Sequence, residues 1–166
     1  MNRSPDQAPA PDAETLRIVA GDFSNPHVID LLRFHLTDAL AVSPPGTSYA
    51  LDLAGLQVPA ISVFAAWRGE RLAGIGALKE LDAATGELKS MRTHPEHFRR
   101  GVAAALLDHL IALARARGYR KLSLETGAGP AFAPAIALYE RTGFRFGERF
   151  GDYIPGPFNQ FMHLSL

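Results

Sequence analysis

The sequence predicts an α/β domain: a mixed sheet containing one parallel pair of strands, with helices packed on it. Three observations predict it. Residues 87–93 read as a strand, 101–116 as a helix and 119–125 as a second strand, in direct succession. A unit of that length makes its two strands parallel, through a right-handed crossover. Residues 61–67 and 71–79 flank Arg68-Gly69-Glu70 and read as an antiparallel hairpin. The 166 residues suffice for one domain with a core of its own, and no internal repeat divides them.

The elements follow in order. Residues 1–14, rich in Pro, Ala and Asp, are expected to form a flexible tail ahead of a domain spanning 15–166. The tail has no apolar stretch of signal-peptide length. Residues 16–19 suit a first strand. Asn25-Pro26 opens a helix in which Val28, Leu31, Leu32, His35, Leu36 and Ala39 recur at helical spacing. Ser43-Pro44-Pro45-Gly46-Thr47-Ser48 ends it. Residues 51–56 fit a short helix or an irregular turn, and periodicity does not decide. Gly74 and Gly76 weaken the second hairpin strand and point to a bulge. Thr85-Gly86 is expected to turn into the 87–93 strand. The 101–116 helix should bury Val102, Leu106, Leu110 or Ile111, and Leu113, with Gly118 as its C-terminal cap. Gly127-Ala128-Gly129-Pro130 reads as a loop. Pro134 starts a second helix that stops at Thr142-Gly143. Residues 144–150 and 161–166 are the last strands, joined by a loop holding Pro155-Gly156-Pro157.

Composition narrows the function. Lys plus Arg and Asp plus Glu are 17 each, so no global field draws nucleic acid or an anionic membrane, and neither is expected as a partner. The charge is uneven, however. From Arg92 to Lys121 there are seven Lys/Arg against two acids, a patch suited to a small polyanion. The absence of cysteine excludes disulfides, thiolate zinc sites and a cysteine nucleophile. It is compatible with a reducing cytoplasm, the expected location. No run approaches the ~18–20 apolar residues of a membrane span. His94 and His97 resemble a metal pair but sit three apart in a loop with no obvious third ligand, and no metal is expected.

The most informative stretch runs from Gly86 to Gly118. A strand, a basic turn ending in glycine, and a helix build an anion site. The free N–H groups of a helix's first turn carry partial positive charge and point outward. Gly101 allows close backbone approach, and Arg99 and Arg100 add charge beside it.

At these residues the chain resembles the N-acetyltransferase (GNAT) superfamily. The resemblance covers everything from Leu16 onward and is strongest over 87–104 and over Ala135-Ile136-Ala137-Leu138-Tyr139-Glu140-Arg141-Thr142-Gly143-Phe144. Arg99-Arg100-Gly101-Val102-Ala103 match the family's turn pattern. Phe98 departs from it, standing where Arg or Gln is usual, and Phe132 stands where many relatives place Asn near the cofactor. Further phrases, such as Lys89-Ser90-Met91-Arg92-Thr93 and Gly151-Asp152-Tyr153, resemble a bacterial subgroup whose substrates are poorly defined. The resemblance implies a twisted, mostly antiparallel sheet whose central parallel strands splay apart at one end. It implies acetyl-CoA as co-substrate, the pantetheine arm paired to the backbone near Met91, Arg92 and Thr93, and the pyrophosphate on the amides of Phe98, Arg99, Arg100, Gly101, Val102 and Ala103.

Acyl transfer to an amine then asks for an acid, a base and an oxyanion donor. Tyr139 is the candidate acid, since a phenol stays protonated at neutral pH and can hydrogen-bond a departing sulfur. A backbone N–H near Met91 is the candidate oxyanion donor. Glu87 is the first choice for the base, with alternation placing it on one face with Lys89, Met91 and Thr93. Glu125, at the end of the neighbouring strand, is the second choice. Arg92 suits a substrate carboxylate, or pairing with a nearby acid; His35 suits the wall of an acceptor pocket. The expected reaction is direct attack by the primary amine of a small molecule, such as an amino acid. Rival readings are acetylation of a protein N-terminus or lysine, and a non-catalytic CoA-binding sensor. A deep pocket walled by the Pro44-Pro45 loop and residues 155–158 would favour the small molecule. The aromatic C-terminal segment suits either a homodimer contact or the core.

Overall fold

The computed structural model describes residues 15–166, and the expected tail, 1–14, lies outside the described residues. The strands are β1 (Leu16–Ala20), β2 (Ile61–Arg68), β3 (Arg71–Asp82), β4 (Thr85–Thr93), β5 (Lys121–Gly127), β6 (Arg145–Phe146) and β7 (Asn159–Ser165). The helices are α1 (Pro26–Ala41), α2 (Leu53–Leu56), α3 (Val102–Ala116) and α4 (Ala133–Thr142). The strands form one sheet of seven in the order β1-β2-β3-β4-β5-β7-β6. Every neighbouring pair is antiparallel except β4 and β5, which the α3 crossover makes parallel.

Alternation along the strands feeds two cores. On one face Leu78, Leu88, Leu122, Leu124 and Met162 pack against Leu107, Leu110 and Ala114 of α3 and Tyr139 of α4. On the other, Val63, Ala65, Ile75 and Ala77 pack against Val28, Leu31 and Leu32 of α1 and Leu56 of α2. Each buried Val, Leu, Ile or Met side chain contributes about 1.5–3 kcal/mol of transfer free energy. The α3 face also buries Leu106 and Ile111, while Leu113 lies at its margin. Gly74 and Gly76 let α3 approach: a Cβ on Gly74 would lie 2.7 Å from Val102, and one on Gly76 would lie 2.7 Å from the Met91 sulfur.

Local chemistry explains the element ends. Asn25 caps α1 by accepting from the His27 N–H, with Pro26 at the first helical position. Residues 53–56 are helical because the Asp52 carboxylate takes the Gly55 N–H. Three expectations shift. Thr85 and Gly86 lie inside β4, because Asp82 makes the turn itself, accepting from the Ala84 N–H and the Thr85 hydroxyl. The strand expected over 144–150 shrinks to two residues, since Phe150 turns inward onto the rings of Tyr153, Phe161 and His163. Lys121, not Tyr119, begins β5, because the Tyr119 N–H still bonds back to α3 at Ala114. No helix among the described residues is long and apolar enough to cross a membrane.

Candidate active site

The centre of the sheet comes apart. Pairing between β4 and β5 covers only Thr85 with Lys121, Gly86 with Leu122 and Glu87 with Ser123. Beyond that point β4 runs on beside β3, and β5 beside β7. The parting leaves a V whose walls are the backbone of residues 88–93 and 124–127.

A bulge lies in one wall. Lys89 pairs with Ala77 and Arg92 with Ile75, so β4 carries one residue more than β3 there. Ser90 absorbs it at φ +53°, in the left-handed region. The consequence is a correction to the expected alternation. Glu87, Lys89 and Arg92 share the face toward α1, whereas Met91 turns to the α3 face, where it packs against the cluster of Ala66, Ala73, Val102 and Leu106.

On the α1 face three groups meet. Arg92 donates from Nε to His35 Nδ1 at 3.2 Å and from its terminal nitrogen to Asp38 at 2.6 Å, and lies over the Phe34 ring. Burial, with the Arg92 charge beside it, holds His35 down to about 4, against the pull of Asp38. His35 is thus neutral, with Nδ1 accepting and its proton on Nε2. Glu87 is 2 % exposed and accepts from the Tyr153 hydroxyl and from Lys89 at 3.3 Å. Lys89 also donates to the Tyr153 oxygen at 2.8 Å. Burial and the adjacent Glu87 carboxylate push the Tyr153 phenol well above its ordinary value. Glu125 lies just past the parting point, paired through its backbone with Phe161 of β7, and its carboxylate has no hydrogen-bond partner among the described residues. Burial pushes its carboxyl up to about 7; Lys89 offsets part of this and Glu87 adds repulsion.

Two loops close over this face. The Ile154 N–H donates to the Tyr49 hydroxyl at 3.2 Å, and the Tyr49 and Tyr153 rings stand edge to face 4.8 Å apart. Below them lies a cleft of about 690 Å³ lined by residues that include Glu87, Lys89, Ser123 and Tyr153 and reaching Thr85 and Lys121 at the paired end of β4 and β5; Arg92, His35 and Glu125 do not line it. Its walls are Tyr49, Leu51 and residues 150–153, rather than Pro44-Pro45 and 155–158.

The turn before α3 has the form of an anion cradle. Arg99 (φ +60°) and Gly101 (φ +76°) are both left-handed. Gly101 caps α3 without any side-chain bond to the first-turn amides, unlike Asn25 on α1 and Asp52 on α2. The space where a Gly101 Cβ would stand is open. The turn and the unpaired β4 edge therefore fit a long ligand with a polyanionic end. Phe98, in the turn, is 54 % exposed. Val102 is buried against Ala66, Ala73 and Leu106, so only its backbone, like that of Ala103, can serve such a ligand. Thr93 pairs with Gly74 at the far end of β4. Tyr139, on α4, is 7 % exposed, and burial pushes its phenol up to about 12. Phe132 lies against the end of β5, where a Cβ on Gly127 would come within 2.2 Å of its ring.

Sequence reasoning missed Lys89, Tyr153, Tyr49 and Asp38. Lys89 had a readable signal, an ammonium two residues from Glu87 on one strand face. Asp38 follows His35 by three residues on a helix, which also puts them on one face. The two tyrosines come from loops without periodicity; Tyr49 gave no signal, and Tyr153 entered only through the phrase Gly151-Asp152-Tyr153, with no role attached.

The acetyltransferase (GNAT) family model matches residues 29–144. The uncharacterized N-acetyltransferase YsnE of Bacillus subtilis (strain 168) is 46% identical over 151 residues, covering 91% of this chain and 100% of that protein. The uncharacterized N-acetyltransferase YedL of Escherichia coli (strain K12) is 44% identical over 149 residues, or 90% of this chain and 94% of that one. Among solved structures, a putative acyl-CoA N-acyltransferase from Klebsiella pneumoniae superposes with TM-score 0.73 at 29% identity, covering 93% of this chain and 99% of that one.

Proposed function

Because this chain belongs to the acetyltransferase (GNAT) family, whose members it resembles along nearly its whole length, and is an N-acetyltransferase acting with acetyl-CoA, we propose that its acceptor is the primary amine of a small, carboxylate-bearing molecule such as an amino acid. One observation carries this reading: the Tyr49 and Tyr153 loops meet over the charged face of β4 and β5 and roof a cleft instead of leaving an open groove. A roofed cleft admits a small molecule and hinders a folded protein surface. Arg92 does not line that cleft but follows its Lys89 by three residues along β4 on the same face; fixed by His35 and Asp38 and still partly exposed, it offers a rigid guanidinium for the carboxylate.

The proposed roles follow from position. Acetyl-CoA supplies the activated acyl group as a thioester. The amides of residues 98–103, with the α3 dipole behind them, hold the pyrophosphate. The unpaired edge of β4 beyond Glu87 holds the pantetheine arm as a neighbouring strand would. Glu125 takes the proton from the acceptor's ammonium, and its half-ionisation near neutrality suits a general base. This favours Glu125 over Glu87, whose carboxylate is already bonded by Tyr153 and Lys89. A backbone N–H of the bulge, at about Met91, donates to the carbonyl oxygen as negative charge builds there. Tyr139 keeps its phenolic proton at every physiological pH and offers it to the departing sulfur.

Thiol release from acetyl-CoA, measured across an amine panel, tests the acceptor. Free amino acids are expected to be turned over, and their carboxamide analogues to lose at least about tenfold in kcat/KM, the scale of one charge-assisted contact. Turnover confined to peptide or protein amines would overturn the reading.

A further inference from the structure

We infer that Arg68, at the end of β2, is a positioning residue for the turn that receives the coenzyme's phosphates: it grips the Arg100 carbonyl and thereby aims the Gly101 N–H outward. The inference rests on the placing of the pyrophosphate at residues 98–103.

The route to this contact runs through the strand pattern. Ala66 packs on the α3 face with Val102 and Leu106, and Trp67 on the α1 face. Arg68, next in the alternation, returns to the α3 face at the level of the helix N-terminus. From there its terminal nitrogen donates to the Arg100 oxygen at 2.8 Å, across 32 residues of sequence. Arg100 sits between the two left-handed residues of the turn, Arg99 and Gly101. A non-glycine residue such as Arg99 stays in that region only when its surroundings hold it there.

Peptide geometry turns this grip into a functional one. The Arg100 carbonyl and the Gly101 N–H belong to one planar trans peptide and point in opposite directions. A donor fixed on the carbonyl side therefore orients the N–H to the other side, away from the protein body. With the peptide plane fixed beforehand, the ligand does not have to order it, and the binding cost falls. Arg68 touches no reacting atom, and its effect should appear in coenzyme affinity alone. Burial, then the charges of His94, Arg100 and Arg68, hold the pKa of the neighbouring His97 below its ordinary value.

The test measures CoA affinity by calorimetry and steady-state kinetics with acetyl-CoA and with acetyl-pantetheine, which lacks the pyrophosphate. In Arg68→Ala, CoA should bind about tenfold more weakly, the effect of one charge-assisted hydrogen bond. The KM for acetyl-CoA should rise in proportion, with kcat at saturation unchanged. With acetyl-pantetheine, kcat/KM should match the native enzyme. Arg68→Met, which keeps an apolar stem of similar length and carries no hydrogen-bond donor, gives the same readout should the alanine variant fail to fold. A CoA Kd within twofold of native in a folded variant overturns the inference, as does an equal loss with both acyl donors. Gly101→Glu is measured alongside. If it weakens CoA binding while the Arg68 variants do not, only the role of Arg68 falls. If it too leaves the Kd unchanged, the placing of the phosphates falls, and this inference with it.

Discussion

Glu125 is a carboxyl whose strength the sheet sets. It stands where β4 and β5 have parted, among buried groups, and reaches half-ionisation near pH 7. For a base, kcat/KM should climb as pH rises to about 7 and then level off. Glu125→Gln should remove that limb and lower kcat by about 10²–10⁴-fold, read from pH profiles of both enzymes. Stability carries the opposite sign. The folded pKa lies above the ordinary carboxyl value of 4.5, so the folded state holds more protons between pH 4.5 and about 7. Stability therefore falls as pH rises through that window, and the glutamine variant should lose this component of the slope in denaturant titrations. The two candidate carboxylates were legible in the sequence, but which of them is available was not. That depends on Tyr153, 66 residues from Glu87, coming down from a loop to occupy one of them.

At the scale of elements, the bulge in β4 decides what faces what. Without the extra residue, Arg92 would point toward α3 and the contacts with His35 and Asp38 could not form. Ser90 holds the bulge at φ +53°, where a β-branched side chain fits poorly. Ser90→Val should cost about 1–3 kcal/mol, the range for such backbone strain, in chemical unfolding. Ser90→Gly should be tolerated with near-native kcat. Strand, helix and hairpin boundaries were mostly readable, because apolar periodicity and Gly/Pro punctuation report local structure. The hint of a bulge at Gly76 was also sound, for β3 skips that residue in pairing with β4. The extra residue itself lies across from it, at a serine with no turn signature, and only the pairing of two strands reveals it. The short β6 escaped for a similar reason. Its apolar phenylalanines suit a strand, but Phe150 finds a better partner in the ring cluster of the roof.

As a whole, the molecule is a sheet in two parts, β1 to β4 and β5 to β6, joined at the centre by three paired positions and backed by α3 and α4. A ligand that binds only this folded arrangement stabilises it by mass action. Acetyl-CoA at about 100 times its Kd should add about 2.7 kcal/mol. That corresponds to roughly 5–10 °C in Tm for a domain of this size, read by thermal unfolding. Absence of any shift would contradict the fit of the turn and the β4 edge to the coenzyme. The same parting has a cost that catalysis does not reveal. Edges of sheets are where foreign strands dock and aggregation begins, and proteins normally shield them at the rim. Here a raw edge lies in the middle of the sheet, open whenever the enzyme is empty. With the pantetheine arm lying there as proposed, the donor covers that edge, and the protein's survival in a crowded solution should track the coenzyme supply as closely as its rate does.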